Sequence, residues 1–179
     1  KYNDGIILLS GSINNLIGKL FNNGLFEDLD ELVTILNPKF KENFYLEIQR
    51  HGDQNEKQFE NFNLNLSQKY QVPIIASNET YYLDKEMHEA HDALMCIGQK
   101  TYINEQKRLK LTNNHYFKSS AEMIELFKDL PEALENNYNF NLRFNFKPKK
   151  SKPILPSIIN ESKISPEDEL FHQARKGLE

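Results

Sequence analysis

A chain of 179 residues with 39% hydrophobic and 27% charged side chains has the means to fold as one domain and is too apolar for a disordered tail. Its formal net charge of −4 gives no general attraction to nucleic acid, so any DNA contact must come from a local patch. The single cysteine, Cys96, excludes an intrachain disulfide framework or a thiolate metal cluster and fits a reducing cytoplasm, and no apolar stretch approaches the length of a membrane helix.

Taken in chain order, Gly5 to Leu9 reads as a buried strand ended by Ser10, Gly11 and Ser12. Ile13, Leu16, Ile17, Leu20 and Phe21 recur at helical spacing, and Gly24 stops that helix. Leu25, Leu29, Leu32, Val33 and Leu36 line a second helix, which is predicted to end at Asn37-Pro38. Phe44 to Ile48 is a second strand, closing in Gln49, Arg50, His51 and Gly52. Asp53 and Glu56 have capping-box spacing, with an acidic cap, ahead of a helix carrying Phe59, Phe62, Leu66 and Tyr70 on one stripe. Pro73 to Ser77 is the third strand, and its short apolar run Ile74, Ile75 and Ala76 suits a strand covered on both faces.

The connections are long enough for crossover helices, which predicts parallel strands joined by right-handed crossovers. An open doubly wound sheet and part of a barrel both accommodate this order. Beyond Leu83 the chain reads as mostly helical. Met87, Ala90, His91, Leu94 and Ile97 form one apolar face, and Ser119 with Glu122 makes a capping box ahead of Met123, Ile124 and Phe127. Pro131 opens another helix. Residues 147–163 hold three prolines and read as a linker, with a domain boundary near Lys147. Ser165-Pro166 begins a last helix. The start at Lys1 and the unfinished helical pattern at Ala174 to Glu179 are read as the ends of a piece cut from a longer protein.

The strongest site candidate is the polar end of the third strand, Ser77, Asn78, Glu79, Thr80 and Tyr81. In α/β folds ligands and chemistry gather at the carboxyl ends of strands. His88 and His91 share a helix face at metal-ligand spacing, but the plainer reading makes His91 a hydrogen-bonded core-edge residue and His88 a surface one. His51 has no partner nearby in sequence and reads as a loop histidine bonded to the neighbouring turn, the alternative being a substrate-facing role. Cys96 reads as a buried, inert thiol. Lys147, Lys149, Lys150 and Lys152 form the one basic cluster, either solvated or in contact with phosphate. No Walker loop, nucleophile elbow, His-Glu-x-x-His or dinucleotide fingerprint is present.

Four segments then occur in a telling order: GIILLSG at Gly5 to Gly11, FYLEIQRHG at Phe44 to Gly52, ASNETYYL at Ala76 to Leu83, and AHDALMCI at Ala90 to Ile97. Together they resemble the α-subunit family of bacterial DNA polymerase III. YFKSS at Tyr116 to Ser120, Glu122-Met123, ELF at Glu125 to Phe127, DLPEALE at Asp129 to Glu135 and Leu155-Pro156 extend the likeness over nearly the whole chain. The resemblance implies an α/β fold, a partial PHP-type (β/α) barrel with parallel strands followed by a mostly helical segment. Residues 1–146 would be the C-terminal half of the PHP domain, 147–163 a linker, and 164–179 the truncated start of the palm. It implies a DNA-directed DNA polymerase in bacterial chromosome replication, with Mg2+ for the complete enzyme. Its partners would be primer-template DNA, a proofreading exonuclease and a sliding clamp, in the cytoplasm and without a membrane. The polymerase's catalytic aspartates would lie downstream, so no catalytic residue is expected in this segment.

Family members with an intact PHP metal site supply a Cys after the first strand's Ser-Gly, and the Asp and His of an Asn-Asp-x-His motif. The matching positions here are Ser12, Glu79 and Tyr81. A serine hydroxyl is a poor ligand, a tyrosine must lose a proton near pH 10, and Glu79 is a methylene longer than Asp. The resemblance therefore implies a degenerate metal site, no metal bound to this segment, and a structural scaffold. The alternative is a metal-dependent phosphoesterase or proofreading PHP domain. The isolated fragment is expected to lack polymerase activity and to self-associate through unpaired strand edges or exposed apolar faces.

Overall fold

Three short parallel strands carry the architecture in a computed structural model that describes residues 3–154 and 164–178. They are β1 (Leu8–Leu9), β2 (Phe44–Ile48) and β3 (Ile74–Ala76), in the sheet order β1-β2-β3. Leu8 pairs with Phe44, and Glu47 pairs with Ile75. The pairing runs on past the strand ends through Ser10 N–H to Tyr45 O and Ser77 N–H to Ile48 O, both 3.0 Å. β1 is shorter than the Gly5 to Leu9 expectation, because Gly5 sits in a left-handed turn that takes the chain off the sheet.

The central strand explains the rest of the core. Phe44, Leu46 and Ile48 are buried, as are all three residues of β3. Ile13 and α1 (Leu16–Asn22) pack there with α2 (Phe26–Phe40) and α3 (Glu56–Tyr70), contributing Ile17, Leu29, Val33, Phe59 and Leu66. Phe21 makes ring contacts at 5.2–6.0 Å with Phe26, Phe59 and Phe62, binding the three helices to one another.

α2 does not stop at Asn37-Pro38. It continues to Phe40 and tightens into a 3-10 turn, Lys41–Asn43. Pro38 removes a single hydrogen bond in the last turns, while Leu29 and Val33 are fully buried and Leu36 and Phe40 pack on the core. The Asn37 side chain also donates to Tyr70 O at 2.9 Å. Tertiary packing outweighs the local break.

Beyond β3, a turn of 3-10 helix (Lys85–Met87) leads into α4 (His88–Gln99). Its expected apolar face stands in solvent: Met87, Leu94 and Ile97 are exposed, and only Cys96 is buried. α5 (Ser120–Leu126) starts on a complete capping box of Ser119 and Glu122, and α6 (Pro131–Phe140) starts on Pro131. α7 (Pro166–Lys176) starts on Ser165, whose side chain accepts from Asp168 N–H. The described residues contain these seven α-helices, none of them long and apolar enough to cross a membrane. Contacts divide the chain into two compact units, 1–144 and 145–179. The second holds α7 and the exposed Lys147, Lys149, Lys150 and Lys152, and residues 155–163 of the predicted linker lie outside the described residues.

α6 closes the outer edge of β3 with side-chain amides instead of a fourth strand. Asn137 accepts from Ala76 N–H at 3.2 Å and donates to Ala76 O at 2.7 Å, and Asn136 donates to Ile74 O at 2.7 Å. The exchange mimics a ladder pair and blunts an edge that would otherwise be open. Asn137→Ala leaves the buried Ala76 backbone unpaired on both sides. It is expected to cost ~1–3 kcal/mol, read as a lower urea midpoint at unchanged slope, and an unaltered midpoint would refute the edge role.

Candidate functional site

The carboxyl ends of all three strands meet in one polar layer. Glu47, in the central strand, turns its carboxylate toward its neighbours. It accepts from Gly11 N–H at 3.0 Å, from Gln49 Nε2 at 2.9 Å, and from the Ser77 hydroxyl in a short bond. Ser10 Oγ accepts from Glu47 N–H at 2.8 Å. One carboxylate therefore joins the loop after β1 to the end of β3, and its charge is met by three donors.

After β2 the chain turns at Gly52, whose φ of +79° is left-handed. The turn aims two consecutive N–H groups at Glu56, whose carboxylate accepts from His51 N–H at 2.8 Å and Gly52 N–H at 2.7 Å. The expected Asp53–Glu56 capping box does not form. The N-cap of α3 is Asn55, in a left-handed conformation with no side-chain cap bond. Glu56 is drawn to the two turn amides, and Asp53 points to His115 instead.

Arg50, one residue earlier, is the largest ionic hub. Its guanidinium forks onto Glu60 at 2.8–2.9 Å and onto Asp129 at 2.6–2.8 Å, and donates to Leu126 O at 2.6 Å. It also lies over the Phe127 ring at 4.8 Å. The hub ties the β2 end to α3 and α5.

His51 is not a solitary loop histidine. It is 1% exposed and stacks on the equally buried His115, with ring centroids 4.0 Å apart and planes 5° apart. His51 Nε2 has two neighbours at 3.2 Å, the Glu79 N–H and Asn78 Oδ1. His115 Nδ1 donates to Glu79 O at 3.0 Å. The backbone of Glu79 thus touches both rings. His115 Nε2 faces Asp53 Oδ2 at 3.5 Å, and His51 Nδ1 faces Glu56 Oε1 at 3.4 Å. Burial pulls the His115 pKa down, but Asp53 and the Glu79 carbonyl outweigh it and hold the imidazole above its ordinary value. The same contact with His115 lowers the Asp53 carboxyl against the opposing effect of burial.

A short pairing delivers His115 to this place. Tyr82 bridges Tyr116 in parallel, Tyr81 N–H donates to His115 O at 2.9 Å, and Phe117 N–H donates to Tyr82 O at 2.9 Å. Thr112 Oγ1 and Asn114 Nδ2 donate to His51 O at 2.6 and 3.0 Å, tying the same loop to the β2 turn. Nothing in the sequence drew attention to His115. The one available signal is the run His115-Tyr116-Phe117, which suits an extended segment.

The three positions expected to be degenerate ligands, Ser12, Glu79 and Tyr81, do not all share hydrogen bonds among the described residues. Tyr81 donates its hydroxyl to Glu79 Oε1 at 2.6 Å, and this bond pushes the phenol up to about 12. A phenol held that way does not ionise near neutral pH, and its partner carboxylate is occupied. Ser12 is buried and its hydroxyl accepts from Asn14 N–H at 3.3 Å; among the described residues it shares no hydrogen bond with Glu79 or Tyr81. These residues do not fit a tight metal cage. The histidines of α4 also depart from expectation. His88 Nε2 lies 2.9 Å from Leu111 O, whereas the Nδ1 of His91 is buried without a hydrogen-bond partner among the described residues.

The fold and these strand ends define an α/β unit whose polar groups gather where such folds place their ligands. No protein-family model matches the chain. It is similar to the DNA polymerase III subunit alpha of Caulobacter vibrioides, 35% identical over 178 residues, which is 99% of this chain and 16% of that protein. The DNA polymerase III subunit alpha of Rickettsia bellii is 34% identical over 99% of the chain, and that of Borreliella burgdorferi is 38% identical over 87%. The likeness to bacterial DNA polymerase III α subunits drawn from the sequence therefore holds across the chain, which spans 14–16% of the length of these relatives.

The Arg50 hub has a measurable pH signature. Asp129 is depressed from 3.8 to about 2, chiefly by its hydrogen bond to Arg50. Its contribution is whole above the unfolded value and disappears as pH falls through about 2. Because the Asp129 side chain is 57% exposed, that contribution is discounted to below ~1 kcal/mol. Asp129→Asn should flatten the acid limb of the stability curve between those two values, and a limb of unchanged slope would show that the pair contributes nothing.

Proposed function

We propose that this chain is a segment of a bacterial replicative DNA-directed DNA polymerase and serves there as a structural scaffold. The observation that carries the reading is the 35% identity, over 99% of the chain, to a DNA polymerase III subunit alpha. Residues 1–146 are read as the C-terminal half of a PHP-type barrel, 147–163 as a linker and 164–179 as the opening of the palm. In this reading the complete enzyme uses Mg2+, works on primer-template DNA with a proofreading exonuclease and a sliding clamp, and resides in the cytoplasm. The exposed Lys147, Lys149, Lys150 and Lys152 offer a contact to the DNA backbone.

The scaffold role is favoured over phosphoesterase chemistry by the state of the family ligand positions. Tyr81 and Glu79 satisfy each other, and the Tyr81 phenol is held far from ionisation. The polar layer instead links the strand ends to α3 and α5 through Glu47, Arg50 and Glu56.

The full-length gene product should extend a primed template with Mg2+, whereas the 179-residue chain alone should extend none. In the full-length protein the double substitution Glu79→Gln with Tyr81→Phe should leave primer extension unchanged. Metal-dependent phosphate release from p-nitrophenyl phosphate that disappears in this double variant would overturn the scaffold reading in favour of the enzyme.

A further inference from the structure

We propose that His51, Asp53 and His115 form a binding site for one divalent first-row transition cation of the zinc class, separate from the positions Ser12, Glu79 and Tyr81. Ligand atoms of the three residues all lie within 4.8 Å of one another. Both histidines are 1% exposed, yet His51 Nδ1 and His115 Nε2 have no hydrogen-bond partner among the described residues. Each of these nitrogens faces only a carboxylate beyond good hydrogen-bond distance, Glu56 at 3.4 Å and Asp53 at 3.5 Å, so the buried cluster has room in its polar bonding for a further ligand.

The opposite nitrogen of His115 has the partner that metal-ligating histidines use, whereas His51 Nε2 meets both an acceptor, Asn78 Oδ1, and a donor, the Glu79 N–H at 3.2 Å. Asn78 Oδ1 lies 3.2 Å from His51 Nε2, and Glu79 O lies 3.0 Å from His115 Nδ1. Donation from His115 Nδ1 fixes that tautomer and leaves Nε2 as a lone pair; for His51 a lone pair on Nδ1 requires Nε2 to donate to Asn78 Oδ1 in place of accepting from the Glu79 N–H. His115 Nε2 lies 3.5 Å from Asp53 Oδ2, too long for a good hydrogen bond. It is close to the about 3.4 Å edge of a tetrahedron built on metal–ligand distances of about 2.0–2.2 Å. Two imidazoles and a carboxylate suit zinc better than magnesium or calcium, which prefer all-oxygen shells. Binding requires the stacked rings to splay and the cluster to contract by up to about 1.4 Å, from spacings within 4.8 Å toward that edge. The cation would pin the β2 turn to the loop ahead of α5, which makes it a structural staple consistent with a scaffold but independent of the polymerase reading.

The test uses the full-length protein, stripped with a chelator, desalted and reloaded with zinc alone, so that metal sites elsewhere cancel between variants. Wild type should retain one more zinc ion per polypeptide than Asp53→Asn or His115→Gln, and zinc should raise the melting temperature of wild type but not of Asp53→Asn. Asp53 is the more exposed partner and Asn matches its size, so Asp53→Asn serves as the reading variant where His115→Gln fails to fold. Equal zinc in wild type and Asp53→Asn, no melting shift in wild type, or loss of the ion on Glu79→Gln with retention in Asp53→Asn would each overturn the proposal.

Discussion

The site depends on the main chain of one residue, Glu79. Its N–H reaches His51 Nε2 and its carbonyl accepts from His115 Nδ1, so a single residue of main chain orients two buried imidazoles. Backbone amides must be satisfied wherever they are buried, and here the partners are the two rings themselves. Because Glu79 lies three residues beyond the end of β3, the orientation of the rings is tied to the sheet. His51 reaches the same place from β2 through the Gly52 turn, held by the Glu56 carboxylate. The Tyr82–Tyr116 bridge brings in His115 from the far side. Three elements distant in sequence thus converge on one buried polar cluster, and the fold depends on their donors and acceptors matching.

A second seam does the same work closer to the strands. Glu47 sits in the central strand, where a carboxylate would be expensive without partners, and it gathers donors from Gly11, Gln49 and Ser77. Glu60 is buried more deeply, and burial alone would raise its pKa. The fork of Arg50 and the ammonium of Lys57 outweigh that and lower it. Charged groups at these strand ends are therefore held by networks more than by solvent. Removing one partner would strand the others, a larger loss than the pair itself contributes.

Much of the local structure was legible in the residues. β2 runs over Phe44–Ile48 as its apolar pattern predicts, and Ser119 and Glu122 form the capping box that their spacing announces. Polar chemistry does collect at the strand ends. What failed did so where tertiary contacts outweigh local rules. Pro38 is carried through by the packing of α2, and Asp53 and Glu56 abandon a cap for buried partners farther away. Periodicity revealed the apolar face of α4 but not what covers it, and that face is exposed. His115 had no signature, because its neighbours at the site lie far away along the chain and are brought together only by folding. The family likeness directed attention to Ser12, Glu79 and Tyr81, while two of the unsatisfied nitrogens among the described residues lie together at His51 and His115.

The central claim is that the capacity to bind a cation at these strand ends resides in His51, Asp53 and His115 and not at the family's positions. Diffraction data collected at the zinc absorption edge from zinc-soaked crystals test it most directly. The account predicts one anomalous peak within bonding distance of the two imidazoles and the Asp53 carboxylate, with none at Tyr81 or the Glu79 side chain. A peak on the Glu79 carboxylate, or an empty map around the stacked histidines, would contradict it.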